Sequence, residues 1–101
     1  MKIPKKISIL GTEYKIVIEQ EVECGYAGLC DPCNKTIHLK KELLNKDYKN
    51  EYNLDLIFKH EVFHAFLDEA GYQSLSENED FVNLLAIQFK NLAKMFGYER
   101  V

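Results

Sequence analysis

His60 and His64 stand four residues apart, with Glu61 directly after the first, in the run His60-Glu61-Val62-Phe63-His64. On an α-helix, residues i and i+4 are separated by about 6 Å along the axis and roughly 40° around it, so both imidazoles can face one ion. Neutral imidazole nitrogen is a preferred donor to tetrahedral Zn²⁺, and two ligands then share one rigid element. Glu61 is turned about 100° from His60, close enough to reach a water at that ion without being a ligand itself. The chemistry this spacing points to is peptide-bond hydrolysis. Zinc acidifies the water and polarises the carbonyl, and Glu61 takes the water's proton as general base and later delivers it to the leaving amine. The competing reading makes these three side chains ordinary helix residues. The motif does fall on a periodic helical stretch, as its mechanism requires.

A catalytic zinc takes three protein ligands and leaves the fourth position open. A metzincin continuation would need Gly at position 67 and His or Asp at position 70; Leu67 and Ala70 exclude it. Glu79 is the better candidate, because the intervening residues suffice to finish one helix, turn through Gly71 to Ser76, and bring a second helix back alongside. Glu77 and, on the same helix as the histidines, Asp68 are the alternatives. Asn83, one turn beyond Glu79, could accept the free N–H of a ligand histidine and so fix its tautomer. Glu77, Glu79 and Asp80 also fit plain complementarity to the dipole at a helix start.

HEVFH followed by NEDFVN (78–83) resembles the gluzincin pattern, in which a later helix opening with an Asn-Glu pair supplies the carboxylate ligand. The chain length, the N-terminal hairpins and AGLCDPCNKTIHL before the metal helix are similar to very small phage-encoded metallopeptidase-like proteins related to the ImmA/IrrE group. The resemblance covers most of the chain from about Gly25 onward, and its specific part is the HExxH and NExxxN residues. It implies a minimal peptidase core, a short sheet plus an active-site helix pair, with zinc on His60, His64 and Glu79. Larger gluzincins usually carry Asp where this chain has Asn83.

The elements that must position these groups fall into two halves, which predicts an α+β fold. Lys6 to Leu10 and Tyr14 to Glu19 read as strands joined at Gly11-Thr12. Extended pieces near Glu23 to Leu29 and Lys35 to Lys40 flank a turn at Asp31-Pro32-Cys33-Asn34. A small, mostly antiparallel sheet results. After the polar stretch KELLNKDYKNEYN, Leu54, Ile57, Phe63, Phe66 and Leu67 mark one broad side of a helix from about Asn53 to Ala70, stopped by Gly71. A second helix is expected from a capping box at Ser76 to Glu79 through Met95 and Phe96, ended by Gly97. Phe63, Phe66, Phe81, Phe89 and Phe96 are expected in the core.

At 101 residues the chain is expected to form a single domain, and 47% hydrophobic with 29% charged residues argues against disorder. A net charge of -3 supplies no positive field for nucleic acid. Lys2, Lys5 and Lys6 read as a solvated strand end, and the run Ile7 to Leu10 is too short for a signal peptide or a membrane span. Cys24, Cys30 and Cys33 form an odd set, which favours reduced thiols and a cytoplasmic location. Cys30-Asp31-Pro32-Cys33 has metal-site spacing that Cys24 and His38 could complete, but incidental thiols are the preferred reading. His38, Tyr26, Tyr72 and Tyr98 are candidate electrophilic helpers.

The expected partner is a protein or peptide substrate, extended against an edge strand near Ile37, with no nucleic acid and no membrane; oligomeric state is not legible. The alternatives are a zinc-stabilised binding module or regulator without turnover, and a metal-free interaction protein whose histidine face is plain core.

Overall fold

The computed structural model describes residues 3–44 and 51–98. Lys2 and the polar stretch 45–50 lie outside them, as do the side chains of residues 43 and 51–53. Four strands, β1 (Lys6–Ile9), β2 (Thr12–Glu19), β3 (Gly28–Asp31) and β4 (Thr36–Lys40), precede four helices, α1 (Glu51–Glu69), α2 (Gln73–Ser76), α3 (Glu79–Gln88) and α4 (Leu92–Phe96). The fold is α+β.

The sheet order is β1-β2-β4-β3. The β1–β2 and β3–β4 pairs are antiparallel, and β2 runs parallel to β4, with Ile16 opposite Ile37 and Val17 opposite His38. The hairpin between β1 and β2 turns on Leu10 and Gly11, both at positive φ (49° and 85°), a two-residue turn that matches strand twist. The piece from Glu23 onward is extended only from Gly28. Cys24 (φ 60°) and Gly25 (φ 72°) are left-handed, so Glu23–Gly25 is a 3₁₀ turn instead. The turn from β3 to β4 is held by Asp31, whose Oδ1 accepts from the backbone N–H groups of Cys33 and Asn34 at 3.1 Å each.

One sheet face is apolar because alternate residues share a side: Ile7, Ile9, Tyr14, Ile37 and Leu39 are all buried there. Against it lies α1, contributing Leu54, Phe58, Val62, Phe63, Ala65 and Leu67 to the same core, and Val82 and Leu92 close it from α3 and α4. Helix α1 is thus covered around more of its circumference than a one-sided amphipathic reading expects. It ends in an αL cap: Gly71 has φ 85°, Gly71 N–H donates to the Asp68 carbonyl (3.2 Å) and Tyr72 N–H to that of Leu67 (2.9 Å).

The expected second long helix is interrupted. Ser76 ends α2; Asn78 is the N-cap of α3, its side chain accepting from Phe81 N–H at 3.1 Å. Phe89 is extended (φ -90°, ψ 114°), and Asn91 caps α4 by accepting from Lys94 N–H. The buried Lys59 ammonium, paired with Asp55 at 2.6 Å, donates to the Lys90 carbonyl freed at that break (3.2 Å). Phe63 is buried and Phe66, Phe81 and Phe96 pack on the core, but Phe89, at the break, stays 39% exposed while its ring touches that of Phe63.

Candidate metal centre

Helix α1 presents His60 and His64 on the side facing α3, one turn apart, as their spacing requires. The short α2 returns the chain so that Glu79, the first residue of α3, meets them. His60 Nε2 lies 2.8 Å from Glu79 Oε2, His64 Nε2 lies 3.1 Å from Glu79 Oε1, and the two Nε2 atoms are 3.0 Å apart. Among the described residues these three side chains form the one group of metal-ligating type able to hold an ion.

The far nitrogens decide what the near ones can do. His60 Nδ1–H donates to Asn83 Oδ1 at 2.7 Å, one turn along α3 from Glu79. His64 Nδ1 lies 3.1 Å from Ser76 Oγ, and that hydroxyl donates to the His64 backbone carbonyl (3.3 Å), so it accepts from the ring. Each neutral imidazole carries one N–H, so both Nε2 atoms are left as acceptors. With both rings neutral, two nitrogen lone pairs and two carboxylate oxygens then converge with no hydrogen between them, an arrangement that a cation at its centre would relieve. Zinc–ligand bonds of about 2.0–2.2 Å set donors about 3.3–3.6 Å apart, so the triangle needs to open by only a few tenths of an ångström. Burial holds the His64 imidazole below its ordinary range, as suits a neutral nitrogen donor.

Glu61 stands beside the cluster and is not part of it. Only 8% exposed, its carboxyl is pushed up to about 7, mainly by burial, reinforced by Glu79 and opposed by His60 and by a hydrogen bond from the Cys30 backbone N–H. Its approach to β3 depends on Gly28. A Cβ there would lie 3.1 Å from Glu61 Cγ, 3.2 Å from Glu61 Oε2 and 3.0 Å from Ile57 Cγ2. Together with Tyr26, Leu29, Cys30 and Asp68 these groups line a cleft of about 560 Å³ between the outer strand β3 and α1.

The structure thus brings His60, Glu61, His64, Glu79 and Asn83 together. Glu77 caps α2 away from the cleft, and Asp68 lines the cleft without joining the donor group. His38 does not reach it: Ile37 and Leu39 face the core, so His38 points to the other sheet face, where Nδ1 meets Glu19 at 2.8 Å. Cys24 and Cys33 are exposed, and among the described residues no cysteine joins a metal-binding group. Of the three candidate tyrosines, Tyr26 lines the cleft, Tyr72 is exposed and Tyr98 packs edge-on to Phe58. The histidine face is not plain core, for both rings border open space. Ile37 is not on an edge strand either, since β4 is paired on both sides; β3 borders the cleft.

Ser76 and Gly28 are the site residues that sequence reasoning missed. Ser76 carries a capping signature toward Glu79 but spends its hydroxyl on His64, and Gly28 matters only through a neighbour 33 residues away. No helix among the described residues is long and apolar enough to cross a membrane. Comparison with protein-family models, curated proteins and solved structures gave no match.

Proposed function

We propose that this chain is a zinc metallopeptidase of minimal gluzincin type, acting on protein or peptide substrates. The observation that carries the reading is the convergence of four acceptor atoms from His60, His64 and Glu79, whose outer nitrogens are already engaged, beside a carboxyl that is no ligand. Two imidazoles and a carboxylate suit Zn²⁺, which when bound supplies Lewis acidity toward a carbonyl and toward water. His60 and His64 are oriented by Asn83 and Ser76, and ligand basicity rises with those bonds. Glu61, with its carboxyl near neutrality, takes a proton from water in the cleft and returns it to the departing amine.

Strand β3 is placed to receive an extended substrate. Lys40 N–H donates to the Ala27 carbonyl, so by antiparallel alternation the backbone groups of Gly28 and the carbonyl of Cys30 point away from β4, toward the cleft, while the Cys30 N–H is held by Glu61. Main-chain pairing there gives recognition with little side-chain selectivity of its own. Free thiols at Cys24, Cys30 and Cys33 fit a reducing, cytoplasmic setting.

The test is hydrolysis of a peptide mixture by the zinc-loaded chain, read by mass spectrometry. Cleavage that stops with a chelator, and drops by about 10²–10⁴-fold in Glu61→Gln, is expected. Zinc binding without any cleavage would move the site to a zinc-stabilised binding module; cleavage unchanged by Glu61→Gln would remove Glu61 from the mechanism.

A further inference from the structure

Three carboxylates, Glu61, Asp68 and Glu79, line the cleft, and among the described residues no Lys or Arg does. Glu79 faces the two imidazoles and Glu61 accepts from the Cys30 N–H. Asp68 has neither kind of partner: among the described residues no hydrogen bond or ion pair ends on its half-buried carboxylate. Its neighbour Glu69 provides the contrast, held by Lys35 at 2.6 Å and by the Tyr14 hydroxyl at 2.8 Å. Asp68 also sits in the last turn of α1, where the helix dipole disfavours an anion and no basic residue offsets it. The Cys30 thiol nearby is kept protonated, and so uncharged, by burial. The Asp68 carboxylate thus lines the cleft without a partner among the described residues.

We propose that Asp68 is a specificity-determining residue, forming a subsite that receives a cationic nitrogen of the substrate; the assignment rests on the peptidase reading above. His60, His64 and Asp68 follow one another at i+4, so the carboxylate lies about 6 Å along the axis beyond His64. Strand β3 advances beside α1 toward it, with Gly28 against Ile57 and Glu61, and Cys30 in the field of both Glu61 and Asp68. A peptide extended along β3 advances about 3.3 Å per residue, which puts the cation about two residues from the carbonyl held at the histidines. Two sources present that chemistry, a Lys or Arg side chain and a free N-terminal amine.

The test is peptide binding by calorimetry to the zinc-loaded chain carrying Glu61→Gln, which prevents turnover. The probes are short peptides with Lys or norleucine at one position, each with a free or an acetylated N-terminus. The cationic forms should bind about five- to tenfold tighter than their neutral counterparts, as a partly desolvated ion pair allows. That preference should vanish in Asp68→Asn and reverse toward a Glu-containing peptide in Asp68→Lys. Preference for Lys in acetylated peptides identifies the side chain, and preference for the free amine alone identifies the terminus. Both substitutions should also raise the melting temperature of the peptide-free protein. Equal binding of neutral and cationic peptides, no binding of any, or a preference that survives Asp68→Asn would overturn the assignment. Asp68-dependent binding by a chain that cleaves no peptide with Glu61 intact would sink the peptidase reading and leave the subsite standing. Cleavage without charge preference would do the reverse.

Discussion

At the scale of single residues, the centre depends on which nitrogen of each imidazole carries the proton. Asn83 and Ser76 settle that from outside, on His60 and His64 respectively. Removing one such partner from a metal-ligating histidine typically costs 10–100-fold in metal affinity, so Ser76→Ala should weaken zinc binding by about that much without abolishing it. Competition with a chromophoric chelator would measure it, and unchanged affinity would show that Ser76 does not orient the ring. Helical spacing made His60, Glu61 and His64 legible as one set on α1 and Glu79 with Asn83 as another on α3, and the length of chain between them allowed the two helices to meet. Ser76 was not legible, because a Ser three residues before a Glu reads as a cap. Its role follows from the path of the chain after Gly71, which no local pattern encodes.

At the scale of elements, the cleft is a close approach of strand β3 to helix α1, with α3 supplying Glu79. Gly28 allows it, and Gly28→Ala should displace Glu61 while leaving the histidines and Glu79 in place. The expected outcome is a full zinc equivalent with at least about tenfold lower peptide hydrolysis, since small misplacements of a catalytic group reduce rate steeply; unchanged turnover would contradict the steric account. A second junction ties α1 to the sheet. Lys35, Tyr14 and Thr12 all bond the Glu69 carboxylate, with Lys35 foremost, and hold it below the ordinary carboxylate range. A carboxyl depressed by folding contributes stability that is fully present above its unfolded pKa and is lost as pH falls through its folded pKa. Glu69→Gln should therefore lower the urea midpoint at neutral pH and flatten its decline on acidification, the gap to wild type closing below the usual carboxylate range. A gap independent of pH would mean the contact is only steric. Strands β1, β2 and β4 and the Gly71 and Gly97 stops were readable from alternation and αL preference, whereas the piece expected extended from Glu23 is so only from Gly28. The parallel β2–β4 pairing and the break at Phe89–Asn91 were not, because the first depends on long-range strand order and the second on Lys59 reaching the Lys90 carbonyl from another helix.

At the scale of the whole molecule, sheet, α1 and the α3–α4 pair share one core, and the proposed centre lies at its rim, in the cleft between β3 and α1. Phe58 and Val62 were absent from the expected apolar face of α1 yet are fully buried, since α1 is packed by β3 on one side and α3 on another. The same packing brings two histidines of α1 and a glutamate of α3 within hydrogen-bond distance of one another. The most direct test is zinc stoichiometry by elemental analysis on purified wild type, Glu61→Gln and Glu79→Gln. One equivalent in wild type and in Glu61→Gln, with marked loss in Glu79→Gln, is the predicted result. No zinc in the wild type after reconstitution, or a full equivalent in Glu79→Gln, would contradict it.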